Sequence, residues 1–180
     1  MTIHESWISS QHQARYRAYY ATYTGRLKPS PWIPAVRAVA WQYQATSILD
    51  YGCGPVEKLA FYADLPVRGY DPGIQDLAAL PDSADVVICL HTLEHIEEEK
   101  LPGIMSHLAS LAHRALFLVV SCQVSTKVLP DGLPWHSLVK PGEWWRDTFR
   151  TLPDFRLIWP YWLPQRQDRE CVMLLERIRD

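Results

Sequence analysis

The run Ser47–Gly52 (SILDYG) is apolar up to Asp50 and closes into Gly-Cys-Gly-Pro. Glycines at the end of a strand let the backbone approach a ligand and turn tightly into a helix, whose first amides offer donors. A dinucleotide-binding fingerprint requires a further glycine three residues after the second one, so that the helix packs under a pyrophosphate. Glu57 occupies that position. A carboxylate is unfavourable beside a diphosphate but tolerable beside a ligand that lacks phosphate and carries positive charge. Asp50, two residues before Gly52, adds to the same preference.

Asp71 closes the next short strand, PVRGYD, 21 residues after Asp50, where a carboxylate can accept hydrogen bonds from both hydroxyls of a ribose. Before Pro72 it also suits a turn or cap. Residues 91–96 (HTLEHI) follow a third strand, and His91 and His95 stand four apart as on one face of a helix. Thr92 takes the place of the general-base glutamate of the zinc-protease motif, so no metal is expected there. His136, after the Asp131-Gly132 turn and Trp135, is the expected acceptor of a substrate proton, with His91 as the alternative. The competing role for His136 is a hydrogen bond within its own loop.

These residues need a frame. SILDYG, PVRGYD, ADVVICL and RALFLVV read as strands, and helices are expected over about 56–64 and across EEEKLPGIMSHLASLA. Alternating strand and helix predicts a parallel sheet with right-handed crossovers. Two amphipathic segments, 11–24 and 32–44, precede it, and their tyrosines Tyr16, Tyr19, Tyr20 and Tyr23 are expected to face the sheet. After Val120 comes a loop of about twenty residues at the ligand-binding edge of the sheet, long enough to suggest a function. The short helix PGEWWRDTFR follows, and then FRLIWPYWL and RECVMLLERIR, two strands spaced for an antiparallel hairpin. Trp135, Trp144 and Trp145 are expected as core or lid packing, and Glu97, Glu98 and Glu99 as a helix start.

The 180 residues, 48% hydrophobic and 21% charged, suit one folded domain rather than a disordered chain. No apolar run approaches the roughly 20 residues that span a bilayer. No basic segment followed by an apolar stretch opens the chain, so a cytoplasmic location is expected. Cys53, Cys89, Cys122 and Cys171 form no CxxC pair and are expected to be reduced, mostly buried thiols. The net charge of −2 hides five Arg/Lys against one Glu in residues 1–46, and three against eleven Asp/Glu in residues 47–113. The basic N-terminal part is either solvated helix surface or an approach for an anionic substrate.

ILDYGCG, the acid Asp71 and ADVVICLHTLEHI together resemble, in order, the motifs of class I S-adenosylmethionine-dependent methyltransferases over residues 47–120. LEHI, FLVV and KVLPDG…H…KPGEWW resemble more narrowly a group of small methyltransferase-like proteins of phages and prophages. The resemblance implies a Rossmann-like α/β fold: a mostly parallel sheet with helices on both faces and an antiparallel C-terminal hairpin. Residues 1–46 would form a helical cap, 47–120 the cofactor-binding core, 121–150 the loop and helix over the active site, and 151–180 the hairpin.

S-adenosylmethionine, with a sulfonium and an ammonium but no phosphate, is the implied cofactor. Asp50, Gly52 and Gly54 would line its methionine part and Asp71 its ribose, with Cys53, Pro72, Leu90 and His91 completing the binding set. Asp76 would contact adenine or cap a turn, although it follows Asp71 by only five residues, and Val56 replaces the usual third small residue. The implied reaction is methyl transfer to oxygen or nitrogen of a small-molecule or nucleotide-type acceptor. No NPPY-like motif or added nucleic-acid domain supports a nucleic-acid substrate, and no membrane partner is expected. The alternatives are a non-catalytic methyltransferase-like binding module and, disfavoured by Glu57, a nicotinamide oxidoreductase.

Overall fold

The computed structural model describes residues 7–23, 25–158 and 169–178. Six strands form one sheet in the order β2-β1-β3-β4-β6-β5. They are β1 (Ile48–Tyr51), β2 (Val67–Tyr70), β3 (Ala84–Leu90), β4 (Ala112–Ser121), β5 (Phe155–Ile158) and β6 (Glu170–Arg177). The first four are mutually parallel, and β6 runs antiparallel to both β4 and β5. The C-terminal pair is therefore the expected hairpin. Residues 159–163 of its predicted first strand lie outside the described residues.

β3 and β4 read as unbroken apolar runs because both of their faces are covered. On one face Ile48, Val86, Ile88, Phe117 and Val119 pack against Val36, Val39 and Ala40 of α2 (Ile33–Gln42). On the other, Leu49, Val87, Cys89, Leu116 and Leu118 meet Ile104 and Leu108 of α3 (Leu101–Leu111) and Trp145 and Phe149 of α4 (Gly142–Arg150). Each such side chain contributes about 1.5–3 kcal/mol by burial. Trp145 is thus core packing. Cys53, Cys89 and Cys171 are buried free thiols and Cys122 is half-buried.

Two expected helices take other forms. Residues Val56–Tyr62 wind as a 3-10 helix rather than an α-helix, pressed onto β2 where Gly69 leaves room for Cys53 and Leu59. Glu98–Lys100 is a 3-10 turn, and the α-helix starts only at Leu101, with Pro102 in its first turn. Between β2 and β3 there is a single 3-10 turn, Gln75–Leu77, so the chain crosses back over β1 without a helix or an intervening strand. This reversal opens the crevice between the carboxyl ends of β1 and β3, where open α/β sheets bind ligands. Among the described residues no helix is long and apolar enough to cross a membrane.

α1 (Ser10–Ala21) lies over that crevice, and polar contacts hold it there. Ser9 caps it by accepting from the His12 amide, and the Ser9 amide donates to Glu97 at 2.9 Å. Gln13 donates to the Pro72 carbonyl at 2.7 Å, and the Tyr16 hydroxyl donates to the Trp135 carbonyl at 3.2 Å. Glu97 therefore anchors α1 as well as preceding α3.

Candidate functional site

The loop after β1 is stitched to the loop after β2. Gly52 and Gly54 both adopt left-handed backbone, φ 78° and 67°. The Gly52 amide donates to the Tyr70 carbonyl at 2.7 Å. Asp71 accepts from the Gly54 amide on one carboxylate oxygen (2.9 Å) and from the Gly73 amide on the other (2.8 Å). Each oxygen keeps a lone pair for a further donor. The Cα of Gly52 faces Thr92, and a Cβ built there would come within 2.3 Å of the Thr92 side chain.

Asp50, in the middle of the sheet between β2 and β3, is 5% exposed. Among the described residues no side chain or amide donates to its carboxylate. Burial pushes its pKa up to about 7, with Lys58 pulling it down and Asp71 adding to the rise. An ionisable group left unsatisfied in this way is a pointer to a ligand.

Asp50 and Asp71 belong to the wall of a cavity of about 420 Å³. Gly52, Cys53, Pro72, Leu90, His91 and Thr92 also line it, and α1 with residues 27–31 closes it from above. Tyr16 and Tyr20 hang into it from α1, and burial holds both phenols well above their ordinary pKa. Lys58 reaches the same loop, 3.2 Å from where a Cβ on Gly54 would sit. Tyr19, Tyr23, Trp135, Lys28 and Lys127 also line the cavity. The Tyr19 and Trp135 rings pack at 4.2 Å.

No protein-family model matches the sequence. A magnesium-protoporphyrin O-methyltransferase of Synechocystis sp. is 52% identical over 44 residues, 24% of this chain and only 19% of that protein. A Burkholderia thailandensis 1,6-didemethyltoxoflavin-N1-methyltransferase, solved with S-adenosylhomocysteine, superposes with a TM-score of 0.64 at 14% identity. That match covers 94% of this chain and 90% of the other. The chain has the methyltransferase fold. The Synechocystis magnesium protoporphyrin IX methyltransferase with bound S-adenosylhomocysteine shares the fold at TM-score 0.54 and 19% identity, covering 98% of each chain.

Within this methyltransferase fold the expected cofactor residues fall unequally. Asp50, Gly52, Cys53, Asp71, Pro72, Leu90 and His91 line one cavity, and Gly54 stands behind it as donor to Asp71. Asp76 does not line it. The 3-10 turn that replaces a longer crossover leaves that side chain exposed.

The histidines also differ from expectation. His91 lies on the cavity wall in left-handed backbone, φ 55°. Its Nδ1 contacts Glu94 and its Nε2 contacts Glu170, each at 3.3 Å. Burial alone would lower its pKa, but the two carboxylates outweigh burial and raise it. His95 sits in a 3-10 turn (Leu93–His95), so the α-helical face expected for His91 and His95 does not form. His136 is not on the cavity wall. Its Nδ1 faces the Gln123 carbonyl at 2.6 Å and its ring lies 5.0 Å from that of His95. This is the loop hydrogen bond weighed as its competing role.

Sequence reasoning missed Lys58, His12, Tyr20 as a wall residue, and Glu94, whose carboxylate is fully buried. Glu94 sits between two histidines in HTLEHI, and that clustering was the one available signal.

Proposed function

We propose that this chain is an S-adenosylmethionine-dependent methyltransferase acting on an oxygen or nitrogen of a small-molecule acceptor. The observation that carries the proposal is the pair of buried carboxylates at the switch point. Asp50 is unsatisfied, and Asp71 still has one lone pair on each oxygen beyond its bonds to Gly54 and Gly73. The residues fit the cofactor. Asp50 and Lys58 suit the ammonium and carboxylate of an amino-acid end, Asp71 suits a ribose diol, and Glu57 replaces the glycine that a diphosphate would need. When bound, S-adenosylmethionine supplies a methyl group activated on a sulfonium.

The chain's own task is to align an acceptor and exclude water. α1, Tyr16 and Tyr20 cover the cavity, and Tyr19, Tyr23 and Trp135 offer flat faces to a ring. Lys28 and Lys127, which also line the cavity, favour an acceptor with negative charge. The relatives named above act, by their names, on small-molecule acceptors. We assign proton removal to His91 rather than His136, because only His91 is on the wall. Its contact with Glu170 is long, and an acceptor hydroxyl or amine could replace Glu170 there.

His91→Asn is expected to keep cofactor affinity within a few-fold while turnover falls about 10²–10⁴-fold. Unchanged turnover, or an equal loss of binding, would remove that role. Turnover is measured as S-adenosylhomocysteine released on incubation with fractionated small-molecule extracts. Binding without release in any fraction would favour the non-catalytic module.

Asp50 gives a pH dependence of known sign. A cationic ligand favours the ionised carboxylate, so binding below the free pKa of about 7 must first remove a proton. Affinity for S-adenosylmethionine should rise by up to tenfold per pH unit below that value and level off above it. Asp50→Asn should flatten the profile, and a wild-type profile that is flat from pH 5.5 to about 8 would contradict the assignment of Asp50 to the cation.

A further inference from the structure

At the cavity wall, where His95 lines it, three side chains converge. A carboxylate oxygen of Glu94 and a ring nitrogen from each of His95 and His136 lie within 4.8 Å of one another. The protonation of both imidazoles follows from their other contacts. In His95, Nδ1 lies 2.7 Å from the Trp135 carbonyl, and in His136, Nδ1 lies 2.6 Å from the Gln123 carbonyl. A carbonyl oxygen only accepts, so each Nδ1 carries the hydrogen and each Nε2 is left with a lone pair.

Glu94 is 0% exposed, and its Oε2 has no hydrogen-bond partner among the described residues. Each of the three side chains thus brings an electron-pair donor to the cluster. Oε1 meets His91 Nδ1 at 3.3 Å, but a buried carboxylate oxygen without a partner, as Oε2 is, is costly and is relieved by a cation.

We infer that Glu94, His95 and His136 form a binding site for a divalent first-row transition metal. Two imidazoles and one carboxylate suit zinc and its neighbours better than magnesium or calcium, which prefer all-oxygen shells. The backbone carbonyls on Nδ1 are the outer contacts that fix ligating histidines in orientation and tautomer. Donors around zinc stand about 2.0–2.2 Å from the ion, so side-chain adjustment at His136, on the long loop, would close the cluster.

Three protein ligands leave a coordination position for water or another ligand. The consequence for the fold is local. His136 adjoins Trp135, whose ring lines the cavity and whose carbonyl holds His95, so the metal would pin this loop to the turn after β3. The expectation of no metal at HTLEHI concerns the pair His91 and His95, with Thr92 in place of the zinc-protease glutamate. The cluster proposed here uses Glu94, His95 and a histidine 41 residues after His95.

The test uses the full chain stripped with a chelator and titrated with Zn²⁺ by calorimetry and with Co²⁺ by visible absorption. One ion per chain is expected, with the cobalt spectrum of nitrogen and oxygen ligands. His136→Ala, altering a partly exposed loop residue, should weaken Zn²⁺ binding at least about 100-fold, and Glu94→Gln should do likewise. If Glu94→Gln fails to fold, His136→Ala alone decides. Absence of stoichiometric binding would overturn the inference. So would binding that His136→Ala leaves unchanged, or a thiolate-to-cobalt band, which would place the ion on cysteines instead.

Discussion

Gly52→Val is expected to remove measurable S-adenosylmethionine binding and to lower stability by about 2–6 kcal/mol, the sum of left-handed strain and overpacking. Its backbone sits at φ 78°, and the first side-chain carbon would meet the Thr92 Cγ2 at 2.3 Å and Oγ1 at 2.4 Å. Thr92 cannot simply rotate away, because its Cβ is itself only 2.9 Å from that point. The two contributions can be separated. Gly52→Ala combined with Thr92→Gly should recover the steric part of the loss and leave the backbone strain. Urea unfolding measures the stability, and titration with S-adenosylmethionine measures the site. A Gly52→Val protein of unchanged stability and affinity would contradict the loop geometry.

Asp71→Ala is expected to act on the fold and the site together. The Gly54 and Gly73 amides would lose their acceptor in a buried setting, at about 1–3 kcal/mol each. Stability should therefore fall by about 2–6 kcal/mol. Cofactor affinity should fall at least 100-fold, about 2.7 kcal/mol, because the ribose contact and the shape of the loop go together. Asp71→Asn keeps one acceptor oxygen but turns an NH₂ group toward the other amide, so it should lie between wild type and Ala in both measurements. Loss of affinity with unchanged stability would mean that the stitching between the two loops carries no weight.

The parts of the molecule legible in sequence are those written as runs of apolar residues. β1, β3 and the body of β4 are buried on both faces, so their sequences are continuous, whereas β4 begins at Ala112 with His113 exposed, ahead of its apolar run. Gly52 and Gly54 stood out because left-handed backbone after a strand favours glycine. α1 was legible as a helix but not as a lid. Its attachments are Ser9 to Glu97 and Gln13 to a carbonyl, and such bonds leave no periodic trace. Asp76 misled because a local DLAALP pattern says nothing about whether the crossover is long enough to bring it back over the site. His136 lies off the cavity wall, its ring 5.0 Å from that of His95. Sequence could not reveal that Trp135, one residue earlier, takes the position on the cavity wall.

The central claim is that the cavity between Asp50 and Asp71 holds S-adenosylmethionine. Calorimetric titration of the full chain with that compound at pH 7.5, beside Asp71→Ala, tests it most directly. The account predicts one site per chain, a dissociation constant between about 1 µM and 1 mM, and loss of binding in the variant. A folded wild-type chain that gives no binding heat at millimolar ligand, or an Asp71→Ala chain that binds as tightly as wild type, would contradict it.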